Sequence, residues 1–160
     1  MDRSQDGALN ARGAVAIRGL RKAFGEIVAV DDVDLDVRPG EFLTLLGPSG
    51  CGKTTLLKII AGLLPATRGE ILVEGRPVTG PGPERAFVFQ DFALMPWATV
   101  FDNVRLPLRL RGEGKAAVRE RVMETLSRVG LDAFAQAYPR ELSGGMKMRV
   151  SLARALIVRP

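Results

Sequence analysis

Glu41-Phe42-Leu43-Thr44-Leu45-Leu46-Gly47-Pro48-Ser49-Gly50-Cys51-Gly52-Lys53-Thr54-Thr55-Leu56-Leu57-Lys58-Ile59-Ile60-Ala61-Gly62 is the stretch that decides the fold. Residues 41–46 read as a short apolar strand, and residues 54–62 read as a helix that stops at a glycine. Between them, Gly47 to Thr54 fits the pattern G-x-x-x-x-G-K-S/T in full. Strand, glycine loop, helix is the context in which that pattern cradles phosphate. Gly47, Gly50 and Gly52, with Pro48, Ser49 and Cys51 between them, allow backbone N–H groups to wrap a polyphosphate. Lys53 then brings a point charge to the β- and γ-phosphates, and the Thr54 hydroxyl, with Thr55 behind it, is placed to ligate Mg²⁺. Cys51 stands inside the loop either as a small filler or as a thiol made reactive by Lys53 and a helix N-terminus.

A second glycine run lies near the C-terminal end, Leu142-Ser143-Gly144-Gly145-Met146. It opens an amphipathic helix expected over residues 144–157. Met148, Leu152, Ala153, Leu156 and Ile157 are expected on or near the buried side of that helix. A glycine pair at a helix start lets N–H groups come close to an anion, and the serine hydroxyl caps the helix or meets a phosphate oxygen. Many ordinary helices begin Ser-Gly, so the run gains its meaning from the phosphate loop upstream.

Working outward, residues 15–20 and 33–37 read as strands, the second with Val33, Leu35 and Val37 alternating with Asp34 and Asp36. Residues 70–73 read as a strand turned at Glu74-Gly75, and residues 86–89 as a buried strand ending at Gln90. Beyond Gln90 the chain turns helical, over residues 99–110 and 115–129. Val118, Val122, Leu126 and Val129 lie on one face of the second helix, which Gly130 ends. Residues 1–13 read as a flexible N-terminus. Residues 14–160 form a β front and phosphate-loop core to about 90, a helical part over 91–143 and a final helix over 144–157.

Composition narrows the function classes. The chain has 160 residues, 46% hydrophobic and 26% charged, which suits one α/β domain with a real core. No apolar run approaches membrane-spanning length, and the N-terminus lacks a signal-peptide core. A single cysteine rules out an internal disulfide and fits a reducing compartment. The absence of histidine removes the commonest general base. The net charge of +5 is concentrated late in the chain, but acids are interspersed there. A solvated helix surface is the expectation, and no nucleic-acid partner.

Taken together, the motifs resemble the ATP-binding subunit of an ABC transporter. The Walker A loop at Gly47 to Thr55 and the signature run at Leu142 to Met146 carry that resemblance, which covers nearly everything from about Val15 onward. It implies an α/β fold, a P-loop NTPase core sheet with an antiparallel β subdomain and an inserted α-helical subdomain. The cofactors implied are ATP and Mg²⁺. Phe24 matches the position of an adenine-stacking aromatic, although core packing is the other reading of the same ring. Gln90 matches the glutamine that touches Mg²⁺ and the attacking water. Ser143, Gly144 and Gly145 match the run that closes over ATP from a second subunit. Gln90 and Ser143 are the expected catalytic positions, and Thr54 and Gln90 the expected metal contacts.

The stretches around Leu94-Met95-Pro96-Trp97 and Tyr138 to Val150 resemble importers of the nitrate, sulfonate and taurine type. This implies a peripheral subunit on the cytoplasmic face of the plasma membrane, pairing as a homodimer. It also implies a membrane permease docked near residues 92–100 and, indirectly, a periplasmic or extracellular substrate-binding protein. Trp97 then belongs either to that docking surface or to the helical core. The family's Walker B strand, D-loop and switch histidine would follow residue 160, so the sequence reads as truncated, with weak nucleotide binding and no turnover expected of it. Two alternatives stand beside the importer: a soluble ABC-family ATPase acting on DNA or the ribosome, and a non-catalytic fragment. A nucleotide kinase or GTPase is disfavoured by the signature run and by the lack of Asn-Lys-x-Asp.

Overall fold

A computed structural model describes residues 11–160. Most of the expected flexible N-terminus, residues 1–10, lies outside the described residues. The chain divides into two compact units, Met1–Arg85 and Ala86–Pro160.

The first unit contains β1 (Val15–Phe24), β2 (Ile27–Val37), α1 (Lys53–Ile60), β3 (Arg68–Val73) and β4 (Arg76–Pro77). Its sheet has the order β2-β1-β3-β4 and is antiparallel throughout. β1 and β2 form a long hairpin in which Val15 faces Val37 and Phe24 faces Ile27. The turn is therefore the pair Gly25-Glu26. Pairing of Lys22, Ala23 and Phe24 with β2 extends β1 beyond the apolar stretch 15–20, because a ladder partner stabilises residues whose own pattern is mixed. One sheet face packs Ile17, Leu20, Val30, Ile71 and Val73 against Leu56 and Ile59 of α1. The wet face carries charge, with Arg18 Nη1 donating to Asp36 Oδ1 at 2.6 Å. That hydrogen bond raises the Arg18 pKa, but water screens so exposed a pair.

The α/β class holds, yet two expected strands are missing. Residues 41–46 and 86–89 are in no sheet. Phe42 is 94% exposed and Leu46 89%. A strand exists only through the hydrogen bonds of a neighbour, and among the described residues neither stretch has a ladder partner. Phe87 and Phe89 instead meet edge to face, centroids 4.8 Å apart.

The second unit is helical: α2 (Val100–Leu110), α3 (Lys115–Arg128) and α4 (Gly144–Leu156), with 3-10 turns at Asp132–Phe134 and Pro139–Glu141. Thr99 caps α2 by accepting from the Asp102 N–H at 3.1 Å. α3 starts without a side-chain cap or a first-turn acid. Packing therefore holds it, with Val118, Val122 and Leu126 buried. Each such side chain contributes about 1.5–3 kcal/mol relative to exposure. Val104, Leu108, Val150, Ala153 and Ile157 complete this core. The buried stripe of α4 differs from the expected one. Met148, Leu152 and Leu156 are exposed, while Val150, Ser151 and Ala153 are buried. α2 and α3 meet only the face spaced 150-153-157, and residues 148, 152 and 156 form the neighbouring stripe, one step around the helix.

Candidate functional site

The loop over residues 47–55 runs exposed from the unpaired stretch 41–46 to α1, which begins at Lys53. Gly52 is the helix N-cap, in the left-handed region at φ +95°. A Cβ there would stand 2.1 Å from the carbonyl oxygen of Ala29 on β2. Both the backbone angle and the close approach demand glycine. This contact fixes the helix start against the sheet and leaves the loop face open. Lys53 folds back over the loop, its Nζ donating to the carbonyls of Gly47 at 2.7 Å and Pro48 at 2.6 Å. Cys51 Sγ lies 3.4 Å from the same ammonium. The cation is thus held at the concave side of the loop, and the Thr54 hydroxyl is exposed on the first turn of α1.

Phe24 ends β1 beside the hairpin turn and is half exposed, so it is not a core residue. Lys22 Nζ sits 5.0 Å above its ring. A ring presented this way offers a flat apolar face with a cation beside it.

In the second unit Ser143 is the N-cap of α4, and its Oγ accepts from the Met146 N–H at 3.3 Å. A Cβ added to Gly144 or Gly145 would meet nothing within 4 Å. The helix N-terminus is therefore open to an anion approaching from outside. Gln90 is exposed in the turn after residues 86–89. Thr54 belongs to one unit and Gln90 to the other. Among the described residues no three acidic, cysteine or histidine side chains cluster as a metal site.

Trp97 is 77% exposed, which sets aside the core reading. It edges a shallow groove with Met95, Asp102, Arg105, Leu106 and Arg109. The segment that carries it is tied down by Asn103, a fully buried side chain of α2. Asn103 Oδ1 accepts from the Met95 N–H at 2.8 Å, and Nδ2 donates to the carbonyls of Met95, Ala98 and Thr99 at 3.2, 3.1 and 3.0 Å. Sequence reasoning missed this residue. The available signal was an asparagine on the apolar stripe of Val100, Val104 and Leu108, where a polar side chain must find buried partners.

Arg154 was missed as well. From α4 it donates to the carbonyls of Phe92 and Ala93, and Ser151 Oγ joins it on Phe92. Burial lowers the Arg154 pKa from its ordinary value, and a guanidinium remains protonated in proteins.

The ABC transporter family profile matches residues 30–160. The chain belongs to the ABC transporter family. Its relatives include the nitrate import ATP-binding protein NrtC of Synechococcus elongatus, 50% identical over 85% of this chain and 21% of the relative. The sulfate/thiosulfate import ATP-binding protein CysA of Burkholderia mallei is 50% identical over 91% of this chain and 44% of the relative. The spermidine/putrescine import ATP-binding protein PotA of Nitrosospira multiformis is 49% identical over 90% and 40%. The chain thus spans less than half the length of each of these ABC relatives. Among solved structures, a dimeric ATP-binding cassette, MJ0796 in a post-hydrolysis state bound to ADP and Pi, superposes with a TM-score of 0.82. It is 36% identical, and the match covers 91% of this chain and 70% of that one. The ABC cassette fold follows from that likeness. No helix among the described residues is long and apolar enough to cross a membrane.

Proposed function

We propose that this chain is the nucleotide-binding part of an ABC importer's ATP-hydrolysing subunit, working as a homodimer beside a membrane permease. The observation that carries this reading is the pair of open, glycine-bearing helix starts. One is the loop 47–55 with Lys53 over it, and the other is Ser143-Gly144-Gly145. A polyphosphate needs donors on more than one side, and phosphoryl transfer depends on positioning and charge neutralisation more than on covalent chemistry. The loop N–H groups and Lys53 hold the β- and γ-phosphates, and Phe24 stacks on the adenine. Ser143, Gly144 and Gly145 serve the nucleotide held by the other copy, as a head-to-tail pair requires. Thr54 and Gln90 would hold Mg²⁺, which neutralises phosphate charge when bound, and Gln90 also orients the attacking water. The import ATP-binding relatives and the dimeric structural neighbour support this assignment.

The proposed cargo is a small anion such as nitrate, a sulfonate or taurine, on the strength of the stretches around Trp97 and Tyr138. The relatives named for nitrate, sulfate and spermidine are equally similar within a percentage point, and this reading leaves the choice of cargo to other subunits. The exposed Trp97 groove is the proposed permease contact. With such a contact the proposed subunit works at the cytoplasmic face of the membrane. The test is MgATP hydrolysis by the full-length gene product and its Lys53→Ala variant. Loss of turnover in the variant is expected, and equal turnover in both would overturn the site.

A further inference from the structure

Two residues after Gln90 the backbone enters an unusual conformation. Phe92 and Ala93 take φ values of +64° and +44°, in the left-handed region, and neither is glycine. A side chain is strained in that region, so two such residues in succession persist only where their surroundings impose them. The imposing groups come from α4. Arg154 Nη1 donates to the Ala93 carbonyl at 2.7 Å and Nη2 to the Phe92 carbonyl at 2.9 Å. Ser151 Oγ donates to the same Phe92 carbonyl at 3.1 Å. Ser151 and Arg154 are three residues apart on one helix and so share a face. A planar guanidinium spanning adjacent carbonyls fixes direction as well as distance, which a lysine cannot do.

We propose that Arg154 and Ser151 are positioning residues that lock the turn after Gln90 and tie it to the helix that begins at Ser143-Gly144-Gly145. α4 is a continuous helix from Gly144 to Leu156. From the cap to Arg154 it measures roughly 16 Å at 1.5 Å per residue. Arg154 and Ser151 therefore hold the Phe92 and Ala93 carbonyls at one place on α4, and Gln90, two residues earlier, is positioned by that lock. This inference rests on the nucleotide reading of Gln90 and Ser143.

The test uses the full-length gene product with Arg154→Met, Arg154→Lys and Ser151→Ala, and reads two quantities. Hydrogen exchange of the amides over residues 91–95 should quicken at least tenfold in Arg154→Met while residues 118–126 of α3 keep their protection. The kcat for MgATP should fall at least tenfold with KM within twofold, since Lys53 and its loop are untouched. Arg154→Lys and Ser151→Ala, which keep the helix face filled, should show intermediate effects and serve if Arg154→Met does not fold. Ala93→Gly, which removes the backbone strain, should restore part of the protection lost in Arg154→Met. Unchanged exchange over 91–95, acceleration spread equally through α3, or KM rising in step with the fall in kcat would overturn the proposal. If Lys53→Ala hydrolyses ATP like the parent, the nucleotide reading fails. The exchange data then still decide whether the arginine holds the turn.

Discussion

Lys53 concentrates the chemistry of the loop into one atom. Its ammonium already points at the concave side of residues 47–52, held by two carbonyls. Binding a phosphate exchanges carbonyl partners for an anionic one, so the gain is the charge-assisted part of the contact. Lys53→Ala should weaken ATP binding by about 1.5–3 kcal/mol, roughly 10- to 150-fold, measured by calorimetry. Cys51 gives an independent readout at the same scale, being exposed inside the loop. A maleimide should label it, and saturating ATP should slow the labelling severalfold; a rate indifferent to ATP would place the nucleotide elsewhere. The glycine loop and the helix start after it were legible in the sequence because the pattern is local, all of it lying within nine positions. Arg154 was not legible, because its partners are carbonyls some sixty positions away, and carbonyls leave no mark in a sequence.

At the scale of elements, the helices were readable and the strands less so. The stripes Val118-Val122-Leu126 and Val100-Val104-Leu108 stand buried in the expected helices, since a helix closes its own hydrogen bonds and needs only one apolar face. A strand borrows its hydrogen bonds, so residues 41–46 and 86–89, apolar as they are, did not become strands without partners. α4 shows a subtler failure. It has two apolar stripes, and only packing decides which is buried. The segment that presents Trp97 depends in turn on α2. Asn103→Ala leaves the Met95 N–H without its acceptor and should cost about 1–3 kcal/mol. The Trp97 emission should shift and broaden as the segment loosens. Trp97→Ala should instead leave stability and ATP binding intact and remove association with the permease, read by co-purification. A Trp97→Ala protein that fails to fold would return that residue to the core.

The molecule as a whole carries an exposed apolar stretch that no described strand covers. Phe42, Leu43 and Leu46 face solvent in an extended, unpaired segment. Such a segment seeks a partner strand and, lacking one within the described residues, pairs with another chain. The 160-residue chain alone should therefore self-associate as its concentration rises, seen by light scattering. Phe42→Lys should suppress that association by adding a charge at the edge. Identical scattering from the two would mean that another surface drives it.

The glycines of the two runs proposed to face phosphate are constrained from different sides, and a mutational library would separate them. At position 52 the obstacle is the chain itself, a carbonyl of β2 where a methyl group would have to go. Replacement there should deplete variants even from a selection that asks only for soluble, folded protein. At positions 144 and 145 the backbone takes no positive φ, and nothing stands within 4 Å of an added methyl. Alanine should pass a folding screen at both positions. On the proposed function it should be lost only when growth is made to depend on the transporter, the space beside those glycines being reserved for the nucleotide of the other copy.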